Sequence, residues 1–387
     1  MLQTLAVANY RSLHGLIMPL GNLNVVTGAN GSGKSNLYRA LRLLAETAQG
    51  GVAAALAREG GLGSALWAGP ETISRAARQG EQALQGGPRK EAVNLRLGFA
   101  GDEFGYAIDL GLPMPSSSAF AHDPEIKREC IWAAPLFRTA SLLVDRQGTM
   151  VRVRAGKGGW DVVSQHLARY DSMLTQLADP ERTPEVLTLR EQIRSWRFYD
   201  HFRTDAEAPA RRPQIGTHTP VMHNDGHDLA AALQTIREIG DARALDDAID
   251  DAFPGATLNI KHADGRFDVE IRQEGLLRPL SAAELSDGTL RYLLLTAALL
   301  TPRAPALMIL NEPETSLHPD LLPALSRLIA KASEASQVWV VSHAPGLVRA
   351  LKNQRGCNAI VLEKNLGETT IAGLGPLDAP AWHWPAR

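Results

Sequence analysis

Apolar and polar positions along the chain change their period several times. Residues 2–8 are apolar and rich in β-formers, and 23–27 (Leu-Asn-Val-Val-Thr) is a short apolar run stopped by Gly28. Both predict strands. Residues 35–45 place Leu37, Leu41 and Leu44 on one face and predict a helix. The stretch 50–87 is rich in Ala and Gly, with only a weak helical pattern. Alternating segments follow at 93–99, 104–110, 126–132, 141–144 and 150–153, separated by turn residues, with a loop at 114–118. They predict an antiparallel sheet. From 163 to 250 the period becomes helical: Ile193 and Trp196 fit a buried stripe, and 229–239 predicts a helix. Strand character returns at 257–260 and 267–271. The rest alternates: helix at 289–300, strand at 306–310, helix at 319–332, strands at 337–341 and 359–363. That alternation predicts a parallel sheet. There is no internal repeat and no sustained heptad pattern.

Composition changes this picture little. Of 387 residues, 44% are hydrophobic and 21% charged, as in ordinary globular chains. Forty basic and forty-two acidic side chains give a formal charge of -2, so any nucleic-acid surface must be a local patch. Cys130 and Cys357 stand far apart with no metal-ligand spacing around them, and read as reduced, buried thiols. The first residues show no basic segment followed by a long apolar run, and 290–300 is too short to span a bilayer and carries Arg291. The expectation is a cytoplasmic protein with no membrane partner.

Candidate chemistry begins at Gly28-Ala29-Asn30-Gly31-Ser32-Gly33-Lys34-Ser35, which fits GxxxxGK[ST] without a mismatch. Glycines let backbone N–H groups approach phosphate oxygens, Lys34 supplies charge for the β- and γ-phosphates, and the Ser35 hydroxyl suits magnesium. A helix beginning near Ser35 adds its positive end. The expected cofactors are ATP and Mg2+. Downstream, the apolar run Leu307-Met308-Ile309-Leu310 ends in Asn311-Glu312. Asn311 would help hold magnesium through water, and Glu312 would polarise an attacking water. Taken alone, Glu312 suits a helix start equally well. Leu285-Ser286-Asp287-Gly288 precedes a helix and offers a second anion-binding end, though such tetrapeptides are frequent helix starts. His343 tips an apolar strand, where it could contact a γ-phosphate or simply be structural.

Together these elements resemble the ABC-type ATPases, and more closely their RecF- and SMC-like branch. Gly28 to Asn36 is similar to that branch's GxNGSGKSN loop, which implies that Asn30, Gly31, Ser32, Gly33, Lys34, Ser35 and Asn36 hold nucleotide. Leu285 to Gly288 resembles the LSxG signature, and Glu312-Pro313-Glu314-Thr315-Ser316-Leu317-His318-Pro319 resembles EPExxLHP, a Walker B with D-loop. His343 falls at the switch histidine. Asn9-Tyr10-Arg11-Ser12 resembles an NFRS element, which implies that Arg11 lies near the nucleotide. Asp225-Gly226-His227-Asp228-Leu229 is similar to a DGxNL segment. The implied fold is α/β, a P-loop NTPase of ABC/SMC-head type with a mixed β-sheet lobe, a parallel sheet and an inserted helical lobe. One ATPase head would span 1–387: an N-terminal lobe at 1–155 carrying Walker A, a helical insertion at 156–250, and a lobe at 251–387 carrying signature, Walker B and histidine. The resemblance also implies an ATP-dependent head-to-tail homodimer, with Ser286 and Gly288 of one copy capping ATP held by Lys34 of the other.

Two departures stand out. Asn311 replaces the usual aspartate and lacks its charge, which predicts slow hydrolysis. The Q-loop glutamine is not singled out among Gln79, Gln82 and Gln85. Two functions from different classes follow: an ATPase acting on DNA in repair, maintenance or defence against foreign DNA, or an ATP-dependent switch that controls a partner effector protein. Arg190, Arg194, Arg197 and His201, at helical spacing, and Arg203, Arg211 and Arg212 beyond them, could track a DNA backbone from the helical lobe, or be a solvated face. A transporter motor is disfavoured by Leu317-His318-Pro319, where such proteins have LD. About forty residues follow His343, fewer than the about fifty of a small domain, so no nuclease of the OLD type is expected.

Overall fold

The alternating segments of the first half hydrogen-bond into one eight-stranded antiparallel sheet. In spatial order its strands are Leu13–Pro19, Leu2–Tyr10, Leu95–Gly101, Phe104–Gly111, Glu125–Ala133, Leu142–Gln147, Met150–Arg154 and Trp160–Ser164. The first and last of these are not marked in the hydrophobic pattern, and both are edges. Leu13–Pro19 contains Gly15 and ends on Pro19, which an edge tolerates. Trp160–Ser164 has no buried residue, so it shows little alternation. The computed structural model describes residues 1–71, 93–115, 117–156, 158–375 and 378–386.

The chain divides into two units: residues 1–20, 28–195 and 360–387 in one, residues 21–27 and 196–359 in the other. The first contains the antiparallel sheet, with Leu5, Val7, Leu97, Phe99, Ile108, Ile131 and Val144 buried in it. A fully buried ion pair joins Arg146 to Glu129 at 3.1 Å. Leaving either charge unmet would cost several kcal/mol (about 3–5). Here Glu129 also accepts from Tyr106 Oη at 2.6 Å and Met173 N at 2.9 Å, and Arg146 donates to Ala168 O at 2.6 Å. The network fixes segment 168–173 to the sheet. On another patch of this unit, Trp132, Trp382 and Trp384 meet edge to face, with centroids 5.7 and 5.2 Å apart.

The second unit is built on parallel strands. Arg197–Tyr199, Leu307–Asn311, Gln337–Val341 and Leu23–Gly28 lie side by side in that order. Burial on both faces explains their continuous apolar runs. Helices Leu229–Ile239, Ala242–Ala252, Asp287–Leu299 and Leu322–Ala332 contribute Leu233, Ile236, Leu245, Leu294 and Ile329 to one core. A small antiparallel sheet adds Thr257–Ala263 and Arg266–Arg272.

The stretch 156–250, expected as one helical insertion, is shared between the two units, with the division at 195/196. Helix Pro184–Arg194 ends there, and Arg197–Tyr199 pairs with Met308, Ile309 and Leu310 as a strand. Three residues are too few to show a period of two, so the helical period reads through them. Arg190, Arg194, Arg197 and His201 therefore do not share one helical face, which the DNA-tracking alternative assumed. Three arginines of this region are engaged within the fold: Arg194 Nε donates to Ala48 O at 2.9 Å, Arg203 pairs with Asp205 and Arg212 with Glu207. Cys130 is buried as expected, but Cys357 is only half-buried. No described helix is long and apolar enough to cross a membrane.

Candidate nucleotide site

The glycine loop leaves strand Leu23–Gly28 and enters helix Lys34–Thr47. Gly28 and Gly33 have φ of 150° and 108°. A Cβ on Gly28 would strike Leu362 O and Ser32 Oγ, and one on Gly33 would strike the Thr369 side chain. Glycine is thus required twice, by conformation and by space. Lys34 Nζ donates to Gly28 O at 2.7 Å and Ala29 O at 3.1 Å, which curls the loop around its own lysine. Asn30, Gly31 and Ser35 are exposed. Residues Gly28, Ala29, Asn30 and Ser32 line a cavity of about 640 Å³ with Leu362 and Lys364. Ser32 Oγ is buried with no hydrogen-bond partner among the described residues. An orphaned hydroxyl in a glycine cradle, beside a cation and a helix start, fits a phosphate group.

A hydrogen-bonded relay braces this loop. Asn36 Nδ2 donates to Ser12 Oγ at 2.8 Å, Ser12 Oγ lies 2.7 Å from Thr369 Oγ1, and Thr369 Oγ1 donates to Ser32 O at 2.9 Å. A carbonyl only accepts, so the Thr369 proton goes to Ser32 and Ser12 must donate to Thr369. Thr369 N also donates to Ser12 O at 2.8 Å. Thr369→Val keeps the shape but leaves Ser12 and the Ser32 carbonyl unmet, an expected loss of about 1–3 kcal/mol. Thermal unfolding with and without ATP–Mg2+ checks this: both the midpoint and its nucleotide-induced rise should fall. An unchanged rise would remove Thr369 from the loop's support.

Arg11 donates to Glu59 Oε2 through Nε at 3.1 Å and Nη2 at 2.8 Å. Tyr10 Oη bonds the same carboxylate at 2.7 Å. Burial, followed by Glu59, raises the Tyr10 pKa. Gln79, Gln82 and Gln85 lie outside the described residues.

The second unit presents the downstream residues. Its parallel register sets Asn311, Val341 and Val26 in one row, and the chain leaves all three strands at the same end. Glu312 N donates to Val341 O at 2.8 Å, and Ser342 N to Val26 O at 3.1 Å. Asn311 is half-buried at the strand's end. Glu312 has φ of 49°, a left-handed conformation that a glutamate adopts only when its surroundings impose it. Its Oε1 lies 3.3 Å from His343 Nδ1, and the two side chains are 46% and 59% exposed. The structure brings these two together and leaves both accessible.

Ser286 is the N-cap of helix Asp287–Leu299, its Oγ accepting from Thr289 N at 3.1 Å. Ser286 and Gly288 line a cavity of about 570 Å³ with Ser316 and His318. Arg211, read from sequence as part of a basic surface, turns inward here. It donates to Leu285 O at 2.7 Å, Thr204 O at 2.8 Å and Asp287 Oδ1 at 2.6 Å, and so clamps the Leu285-Ser286-Asp287 entry. The acceptors on Leu285 and Asp287 lie more than seventy residues away and leave no local signal, so its role was not readable. At the Asp225 segment, Asp225 Oδ1 meets Nδ1 of His223 at 3.0 Å and of His227 at 2.6 Å.

A strand, a glycine loop and a helix, with a parallel sheet, are the parts of a P-loop NTPase fold, and solved structures share the fold of the chain. An SMC head bound to the C-winged helix domain of ScpA has 13% identity, with 98% of this chain and 99% of that chain covered at a TM-score of 0.50. At that identity the likeness concerns the fold. An SMC head domain from Thermotoga maritima has 14% identity, coverage of 96% and 98%, and a TM-score of 0.47. A Pyrococcus furiosus Smc head bound to the C-terminal domain of ScpA has 11% identity, coverage of 96% and 95%, and a TM-score of 0.48. Residues 23–349 match the family described as "AAA domain, putative AbiEii toxin, Type IV TA system", and the chain belongs to that family. No curated protein matches it in sequence. ATPases of this family generally bind ATP with Mg2+, and the fold supports ATP binding.

Proposed function

We propose that the protein binds ATP–Mg2+ at the Gly28–Ser35 loop, hydrolyses it slowly, and pairs head to tail with a second copy when ATP is bound. The observation that carries this reading is the cradle itself: glycines where no Cβ fits, an orphaned buried Ser32 hydroxyl and a curled Lys34. Lys34 would neutralise β- and γ-phosphate charge, Ser35 would ligate the metal, and Asn30, Gly31, Ser32, Gly33 and Asn36 would shape and support the phosphate cradle. Asn311 would hold a metal-bound water through its amide oxygen. Glu312 would polarise water, with His343 beside it at 3.3 Å. When bound, Mg2+ neutralises charge on the phosphate oxygens. Ser286 and Gly288 would meet the nucleotide of the second copy, since both line an open cavity beside Thr289 and Ser316. Arg11 would reach the nucleotide only after giving up Glu59.

The role of that cycle divides two ways. Action on DNA, in repair, maintenance or defence, is the first reading. Control of a partner effector with little turnover is the second, favoured by two observations: Asn311 lacks the aspartate charge, and Arg190, Arg194, Arg197 and His201 do not share one helical face. Size-exclusion chromatography of Glu312→Gln tests both. A dimer with ATP–Mg2+ and a monomer without it is expected. Co-elution with DNA only in ATP would support the first reading, and indifference to DNA the second. A monomer in saturating ATP–Mg2+ would refute head-to-tail pairing.

A further inference from the structure

Glu314 lies two residues beyond Glu312 and, unlike it, is buried, at 9% exposure. Its Oε1 gathers donors from one short segment: Ser342 Oγ at 2.7 Å, Ala344 N at 3.2 Å and His343 N at 3.3 Å. His343 Nδ1 lies 3.8 Å from the same oxygen. Ser342 Oγ in turn accepts from Ala344 N at 3.1 Å. His343 itself is exposed, so its ring is held from behind, through its own backbone. The second carboxylate oxygen, Oε2, is buried with no hydrogen-bond partner among the described residues. Arg291, 2% exposed on helix Asp287–Leu299, donates to Phe202 O at 3.1 Å; burial lowers its pKa, and the field of Glu314 raises it. Arg291 Nε is likewise buried with no hydrogen-bond partner among the described residues.

We infer that Glu314 is a positioning residue, whose buried carboxylate holds the 342–344 loop so that His343 faces Glu312. The inference rests on the reading of Glu312 and His343 given under Proposed function. Hydrogen bonds to an ionised carboxylate are about twice as strong as neutral ones, and this one carboxylate satisfies two backbone N–H groups at a strand end. A glutamine can set its carbonyl oxygen where Oε1 lies, but it has no charge to strengthen those bonds and it buries an NH2 group where Oε2 has no hydrogen-bond partner among the described residues. Glu314→Gln in the full chain is therefore expected to lower kcat by about 10- to 100-fold while ATP affinity stays within about twofold. Hydrogen exchange of the His343 and Ala344 amides should quicken. Ser342→Ala, which removes one donor and no charge, should lower kcat only by about threefold. In a His343→Ala background the Glu314→Gln loss should vanish, because the residue acts through His343. Wild-type kcat in Glu314→Gln, or a loss that adds in full to that of His343→Ala, would overturn the inference. Should the wild type hydrolyse no ATP, the reading of Glu312 fails instead, and amide exchange alone decides: unchanged His343 and Ala344 rates in Glu314→Gln would still refute the positioning role.

Discussion

Lys34→Ala is expected to weaken ATP binding by about two to three orders of magnitude. A unit charge about 4 Å from a phosphate contributes roughly 4 kcal/mol at an effective dielectric of 20, about a thousandfold, and partial exposure of the loop reduces this toward a hundredfold. Lys34 is the first residue of helix Lys34–Thr47, where alanine is well tolerated, so the fold should survive. The lost bonds to Gly28 O and Ala29 O loosen the loop further. Calorimetric titration with ATP–Mg2+, beside an unfolding curve without nucleotide, checks the result. Affinity equal to wild type would take the loop out of ATP binding altogether.

The second large effect concerns turnover. Glu312→Gln should lower steady-state phosphate release by at least about a hundredfold while ATP binding persists, because an amide cannot take the proton that a general base must receive. Its φ of 49° makes the position strained for either residue, so the variant changes chemistry without changing strain. Asn311 sets the background: a wild-type rate already slowed by the missing charge compresses the difference. Single-turnover measurements therefore separate binding from hydrolysis better than steady-state rates do. Equal phosphate release in wild type and variant would reassign Glu312 to a structural role.

Contiguous features were legible in the sequence. The loop from Gly28 to Ser35 needs its residues in a row, and so do Asn311-Glu312 and the capped entry at Ser286. Central strands such as Leu95–Gly101 and Phe104–Gly111 showed themselves because one row of side chains is buried. Edge strands did not, since Trp160–Ser164 has no buried row to alternate with. The helical reading of 163–250 failed at Arg197–Tyr199, where three residues belong to a sheet whose other strands lie far along the chain. Supporting residues were the least visible. Thr369 meets Ser12 across 357 residues, Glu59 takes the charge of Arg11, and Arg211 grips carbonyls more than seventy residues ahead. None of these contacts leaves a period or a motif, because each is made by folding rather than by neighbours. The residues beyond His343, read as too few for a nuclease, carry strands Cys357–Asn365 and Glu368–Ile371 and hold the glycine loop.

That brace also orders events in time. Ser32 leaves the ribosome 337 residues before the threonine that binds its carbonyl. A nascent chain therefore carries the glycine-loop sequence long before it carries the braced shape proposed to hold phosphate. Nucleotide can recognise the braced loop only once synthesis has passed Thr369, so a chain interrupted earlier, or clipped there afterwards, should fail to retain ATP even with every residue from Gly28 to Ser35 intact.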